Sequence, residues 1–172
     1  VLDHAIREGC GAVVFGSSSE NYASGADAGT VPIPTPEDMP LSIGDISLPR
    51  WSYAASKIAG ESAVFGAARK GGFTPLVVRF HNVYGPRMGP THVIPEFLER
   101  GRQKVDPFPV YGEEQTRSFL YVDDAAEALR IVLVDATKNG GGITHIGSGQ
   151  EMRIGDLAQL VFEVTGHHPR ID

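Results

Sequence analysis

Cysteine is nearly absent from this chain. Cys10 stands alone, so no disulfide can form within these residues, and a reducing compartment is the simpler expectation. Also missing is any apolar run approaching the roughly 20 residues needed to cross a bilayer. Val1 to Cys10 carries charges where a signal peptide would be apolar, so no membrane partner is expected and the cytoplasm follows as the default location. Positive charge is in deficit: 15 basic residues against 21 acidic ones give a net charge of -6, which points away from a nucleic-acid partner. His145, His167 and His168 lack cysteine or acidic partners at ligand spacing, so no metal site is expected. What is present, 172 residues of which 41% are hydrophobic, suffices for a globular protein with a sizeable core.

Two stretches carry chemistry. Trp51-Ser-Tyr-Ala-Ala-Ser-Lys57 places Tyr53 and Lys57 four apart, on one face if the segment is helical. A phenol is a poor base near neutral pH, with a reference pKa of about 10. A neighbouring ammonium favours the phenolate, which is how such a pair becomes a general acid/base. Upstream, the apolar run Val13-Val14-Phe15 ends in Gly16 and three serines, Ser17 to Ser19, before Glu20-Asn21-Tyr22. That pattern predicts a buried parallel strand delivering hydroxyls to its carboxyl end, where ligands bind in open α/β sheets.

Together with Arg79-Phe-His-Asn-Val-Tyr-Gly-Pro-Arg87 and Gln115-Thr-Arg-Ser-Phe-Leu-Tyr-Val-Asp-Asp124, these stretches resemble the extended short-chain dehydrogenase/reductase family, especially its nucleotide-sugar epimerases, dehydratases and decarboxylases. The resemblance implies a Rossmann-like doubly wound parallel α/β sheet plus part of a small α/β substrate domain. Residues 1–85 would form the C-terminal half of the Rossmann-like domain, and residues 86–172 the substrate-binding region interleaved with returning Rossmann elements. No Gly-x-x-Gly-x-x-Gly phosphate loop is found, and Asn139-Gly-Gly-Gly142 lacks its spacing and following helix. The N-terminal dinucleotide-binding half is therefore expected to be missing, and the piece alone is expected to be inactive.

By the same resemblance, Tyr53 is the acid/base assisted by Lys57, Ser18 hydrogen-bonds the reacting oxygen, and Glu20 is available to abstract a proton beside a new carbonyl. Tyr53, Lys57 and Ser17 would hold the cofactor, NAD, with NADP left open. Ser19, Asn82, Arg87 and Arg117 would bind the nucleotide sugar, Arg117 at a phosphate for which its planar fork is suited. The implied activity passes through a 4-keto sugar, with 4-epimerisation of an NDP-sugar foremost because it needs the fewest special groups. NDP-sugar 4,6-dehydration or UDP-glucuronate decarboxylation are alternatives, followed by a net NAD(P)-dependent reductase or a non-catalytic dinucleotide-sensing protein. Two departures from the family pattern fall beside Glu20: Asn21 replaces the usual valine and Ala23 the usual glycine.

The remaining elements are read from pattern. Val1 to Gly9 reads as helix closed by glycine, and Ala23 to Pro49, punctuated by five prolines, reads as a long loop, which the family resemblance implies lies along the rim of the active site. The Tyr53 helix runs to about Lys70 and stops at Gly71-Gly72. Its many alanines and glycines suit either packing on the protein's own sheet or, as the resemblance implies, a homodimer through the 50–70 helix. Strands are expected at Pro75–Phe80, at Phe108–Gly112 and Arg117–Val122 around a turn, and at Ile143–Ile146. Helices are expected from Thr91 to Gly101, from Ala125 to about Val134 capped by Asp123 or Asp124, and from Ile154 to Val164 closed by Gly166.

Overall fold

A computed structural model describes residues 1–172, which divide into two compact units: Val1–His81 with Asp123–Ile146, and Asn82–Val122 with Gly147–Asp172. The first boundary falls at His81, ahead of Tyr84-Gly85, because Asn82–Tyr84 pairs as a strand within the second unit.

In the first unit, β1 (Ala12–Ser18), β2 (Thr74–Phe80) and β6 (Gly142–Ile146) form a parallel sheet in the order β1-β2-β6. The register sets Ser18 beside Phe80 and Phe80 beside Ile146, so the three strands end together. The central strand is apolar at Leu76, Val77 and Val78 because both its faces are covered; Val77 and Val78 are fully buried. Helix α1 (Leu2–Arg7) precedes β1, as its pattern predicts.

Helix α3 (Trp51–Gly71) follows from six alanines among its residues 54–68, the strongest helix former. It closes at Gly72 in the left-handed conformation (φ 72°), whose N–H reaches the Ala68 carbonyl at 3.0 Å. The helix lies close on β1: a Cβ placed on Gly60 would stand 2.2 Å from the Phe15 ring. Its small residues therefore divide between two directions, Ala54 and Gly60 inward and Ala59 and Ala63 to the outside.

The 23–49 segment differs from a plain loop. Ala23–Asp27 is a short helix, α2, and the remainder is irregular. It is tied down by Glu37, whose Oε1 accepts from the His145 N–H at 3.1 Å, and by Gly44, which packs against the buried Trp51 indole.

The second unit pairs β3 (Asn82–Tyr84) with β5 (Phe119–Tyr121) in parallel, and β4 (Thr116–Arg117) with β7 (Met152–Arg153) antiparallel. The expected strand pair around Glu113–Gln115 does not form. Phe108 pairs instead with the far end of the chain, bridging Ile171 in parallel: its N–H donates to the Arg170 carbonyl at 2.7 Å and its carbonyl accepts from the Asp172 N–H at 3.0 Å. It is fully buried, edge-on to Phe97 at 5.3 Å and to Phe162 at 4.9 Å. Helix α6 (Ile154–Thr165) buries Ile154, Leu157, Ala158, Val161 and Phe162, one stripe at 3- and 4-residue spacing. Helix α4 (Val93–Arg102) meets it where Gly101 abuts Thr165.

Helix α5 (Val122–Asn139) begins earlier and ends later than its pattern suggested, so Asp123 and Asp124 lie inside its first turn rather than capping it. There they still favour the positive end of the helix dipole. No helix is long and apolar enough to cross a membrane.

The α3–β1 contact predicts opposite outcomes for two glycines of one helix. Gly→Ala gains roughly 0.5–1 kcal/mol of helix propensity. At Gly66 the nearest atom to a new Cβ is 3.9 Å away, so Gly66→Ala raises the melting temperature. At Gly60 overpacking of about 1–3 kcal/mol against Phe15 outweighs the gain. Gly60→Ala lowers the melting temperature in a thermal scan, and equal shifts for both variants would contradict this packing.

Candidate active site

Six of the nine residues singled out from sequence lie in the first unit: Ser17, Ser18, Ser19, Glu20, Tyr53 and Lys57. Tyr53 and Lys57 share a face of α3, and the Lys57 ammonium lies 5.5 Å from the centroid of the Tyr53 ring and 5.4 Å from that of Phe15. These are distances at which a cation is attracted to a ring face. Lys57 Nζ also donates to the Gly16 carbonyl at 2.8 Å, which anchors the ammonium to β1 and leaves two of its three donors for a ligand. Tyr53 is 51% exposed, with its ring outside the core.

The strand β1 ends in a single 3-10 turn, Ser19–Tyr22. Ser18 caps it, its Oγ accepting the Glu20 N–H at 3.2 Å. That bond leaves the Ser18 hydroxyl proton available for donation. Glu20 is exposed on the turn, and Ser19 is half-buried. Ser17 is buried and turned away from the solvent: its Oγ donates to Glu61 Oε1 at 2.5 Å. Any cofactor contact from Ser17 thus falls to its backbone rather than its hydroxyl.

Beneath the turn is a polar cluster that motif reading missed. Arg79, 2% exposed in the central strand, reaches Glu61, 4% exposed on α3, through Nε–Oε1 at 3.0 Å and Nη2–Oε2 at 2.7 Å. Glu61 Oε1 also accepts from Asn21 Nδ2 at 2.7 Å. Arg79 Nη1 donates to the Tyr22 hydroxyl and, at 3.0 Å, to the Glu37 carbonyl. The Tyr22 hydroxyl also hydrogen-bonds His145 Nε2, 2.9 Å away, with the imidazole tautomer setting which of the two donates.

The electrostatics follow from that geometry. Burial pushes the Glu61 carboxyl up, but hydrogen bonds from Arg79, Ser17 and Asn21 and the Arg79 charge outweigh it and hold the carboxyl below the usual range. Burial likewise pushes Arg79 down, and Glu61 more than restores it. Burial raises the Tyr22 phenol, Arg79 countering only in part. Burial lowers both His81 and His145, the latter against the opposing pull of Glu37.

Two signals mark the missed residues. Arg79 is a lone charge in an apolar strand, and Glu61 continues the spacing of four from Tyr53 through Lys57. A charge in either place needs a buried partner.

Asn82, Arg87 and Arg117 belong to the second unit. Asn82 Nδ2 and its backbone N–H both donate to the Ser118 carbonyl at 3.2 Å, so its side-chain oxygen is the free group. Arg87 is exposed and holds a left-handed backbone (φ 67°) just after Gly85-Pro86. Arg117 is exposed on β4 and donates only locally, to the Thr116 carbonyl and Gln115 Oε1. An apolar cavity of about 400 Å³ in this unit is lined by Tyr84, Leu98, Phe119 and Met152 among others.

A Tyr–Lys pair and capped serine turn at the carboxyl end of a parallel sheet suit proton and hydride chemistry on an alcohol, but a fold alone does not assign it. The family model described as NAD dependent epimerase/dehydratase matches residues 1–147. The chain belongs to the NAD dependent epimerase/dehydratase family. Within this family it is similar to UDP-N-acetyl-alpha-D-glucosaminuronate decarboxylase of Bacillus cytotoxicus, 39% identical over 163 residues, 92% of this chain and 48% of that protein. It is also similar to dTDP-glucose 4,6-dehydratase of an Actinoplanes species, 32% identical over 167 residues, 96% of this chain and 48% of that protein. Among solved structures, a UDP-galactose 4-epimerase superposes with a TM-score of 0.80 at 35% identity, covering 99% of this chain and 53% of that one. The chain spans about half the length of these two curated relatives. Its α/β fold with a parallel sheet is that of Rossmann-like members of this family.

The buried groups make stability depend on pH in two ranges. His81 and His145, held below their ordinary 6.5 in the folded state, stay neutral while the unfolded chain gains protons. Stability present above pH 6.5 is therefore lost as pH falls through their folded values. Glu61, held below its ordinary 4.5, adds stability that is present above 4.5 and lost only in stronger acid. Urea midpoints are expected to fall from pH 8 to 5.5, and to fall further below 4.5. Midpoints that are flat or rise from pH 8 to 5.5 would refute the buried neutral histidines.

Proposed function

We propose that the complete protein containing this chain is an NAD-dependent nucleotide-sugar epimerase or dehydratase acting through a 4-keto sugar, with 4-epimerisation of an NDP-sugar as the leading reading. The observation that carries it is the Tyr53–Lys57 pair on the face of α3, beside the strand whose end holds Ser18, in a chain of this family.

The donor set fits the nicotinamide-ribose end of NAD. The Tyr53 ring is exposed, and the Lys57 ammonium keeps two free donors one turn away. A glycine-rich pyrophosphate cradle is not among these 172 residues. NAD, when bound, supplies a reversible hydride acceptor for the sugar's C4.

Tyr53 Oη takes the proton of the C4 hydroxyl and later returns it, a transfer worth about 10²- to 10⁴-fold. Lys57, its ammonium 5.5 Å from the Tyr53 ring centroid, would hydrogen-bond the ribose with its free donors. The Ser18 hydroxyl donates to the same C4 oxygen as its charge changes. Asn82, Arg87 and Arg117 bind the nucleotide sugar, the two guanidiniums through its phosphates. The apolar cavity bounded by Tyr84 and Phe119 takes the flat face of the base.

A second reading, loss of carbon dioxide or water, is favoured by Glu20. Its side chain is exposed on the Ser18-capped turn, and in this reading its carboxylate takes the proton next to the C4 carbonyl. The 39% identical relative, itself named a decarboxylase, supports the same reading. A homodimer across the outer face of α3, where Ser52, Ser56, Ala59 and Ala63 lie, and a cytoplasmic location belong to the same proposal.

The complete protein, incubated with UDP-, dTDP-, GDP- and CDP-sugars and catalytic NAD, is expected to give a product detected by mass spectrometry. Unchanged mass with altered mobility means epimerisation, and then Glu20→Gln keeps its rate. A product lighter by carbon dioxide or water means the second reading, and then Glu20→Gln loses about 10²-fold or more. In either case Tyr53→Phe abolishes turnover while calorimetry still detects sugar-nucleotide binding; turnover at the wild-type rate would sink the mechanism.

A further inference from the structure

Helix α3 carries three functional side chains at successive spacings of four: Tyr53, Lys57 and Glu61. The first two face the chemistry just proposed, on which the present inference rests. Glu61 does not, being buried where it touches neither solvent nor any group assigned to substrate. Its contacts run instead to both ends of the turn that presents Ser18 and Glu20. Ser17, the residue before Ser18, donates to Glu61 Oε1 at 2.5 Å. Asn21, the residue after Glu20, donates to the same oxygen at 2.7 Å and to Ser17 Oγ at 3.1 Å. A single carboxylate oxygen thus brackets the turn from both sides.

The other oxygen is clamped from the sheet. Arg79, in the strand next to β1, holds both carboxylate oxygens in a fork that fixes the plane of the carboxylate as well as its position. The turn, the helix and the central strand therefore meet at one point.

Asn21, fully buried and unusual at this place in the family pattern, spends both of its bonds inside the cluster and leaves its Oδ1 without a partner. An orphaned buried acceptor costs stability. An amide held there despite that cost is explained by its donors, which bind the back of the turn to Glu61.

We propose that Glu61 is a positioning residue that sets the turn bearing Ser18 and Glu20 against the helix bearing Tyr53 and Lys57. Ser17 and Asn21 are the two ties through which it acts. Displacing a reacting group by about 1 Å can cost on the order of 100-fold in rate, so loss of this anchor reaches the chemistry without any contact to it.

Glu61→Gln retains the shape but turns an NH2 toward an Arg79 or turn donor, so one bracket opens. In the complete protein, with folding checked by near-UV circular dichroism, kcat is expected to fall about 10- to 100-fold while KM for the nucleotide sugar stays within about twofold. Because Glu61 acts through the turn, most of that loss should vanish on a Ser18→Ala background, as a double-mutant cycle reads directly. Ser17→Ala, a milder change that removes one tie, is expected to show the same pattern on a smaller scale and serves if Glu61→Gln does not fold.

Full kcat in the folded variant, or losses that multiply with Ser18→Ala, would overturn the proposal. Tyr53→Phe separates the two layers. Its retained turnover overturns the catalytic reading and this inference with it. Its loss alongside undiminished Glu61→Gln and Ser17→Ala overturns the inference alone.

Discussion

A carboxylate buried against a guanidinium governs the first unit. Neither Glu61 nor Arg79 could stand alone where it is, because an unpaired ion in a closed interior costs several kcal/mol. Together, with Ser17 and Asn21 completing the shell, they hold α3, β1 and β2 to one arrangement. Such a pair is a weak source of net stability compared with a well-packed apolar core, since desolvation offsets most of its Coulomb attraction. Its effect is on position. The apolar contacts supply the adhesion, Phe15 on Gly60 and the Val77–Val78 interior, but grease alone would tolerate sliding of the helix along the strand. The polar lock does not.

The order of residues along α3 then makes physical sense. Moving from Glu61 toward the N-terminus, the helix passes from a fully buried anchor, through Lys57 tethered to the Gly16 carbonyl, to the exposed ring of Tyr53. Rigidity at one end supports reach at the other. Along β1 the sequence of serines divides in the same way. Ser17 faces the lock, Ser18 caps the turn, and Ser19 and Glu20 ride on it. Three adjacent serines thus have three different environments, which composition could not distinguish.

Much of the fold was legible because its signals are local. The glycine stop after α3, the stripe of α6 and the valine-rich central strand each follow from a few neighbouring residues. What was not legible depends on partners distant in sequence. Phe108 has strand-like neighbours, yet its backbone pairs with Arg170 and Asp172 at the far end of the chain rather than across the Glu113–Gln115 turn. Arg117 pairs with β7 rather than with the segment just before it. Of the site, Tyr53, Lys57 and Ser18 could be named from motif; Glu61 and Arg79 each carry a local signal, but their pairing across 18 residues is visible only in the structure. Asn21 departs from the family pattern, and its place in the lock is what the departure does.

Membership of the NAD dependent epimerase/dehydratase family frames the chemistry without fixing its outcome. Relatives similar to this chain carry decarboxylase, dehydratase and epimerase names. On the proposed mechanism these outcomes share oxidation at C4 and diverge only at the step after it. The central claim is the shared part: hydride leaves C4 and returns to the same molecule. The most direct test gives the complete protein catalytic NAD and a nucleotide sugar labelled with deuterium at C4. The account predicts that the deuterium is retained in the product and that no NADH accumulates. Stoichiometric release of deuterated NADH into solution would contradict it.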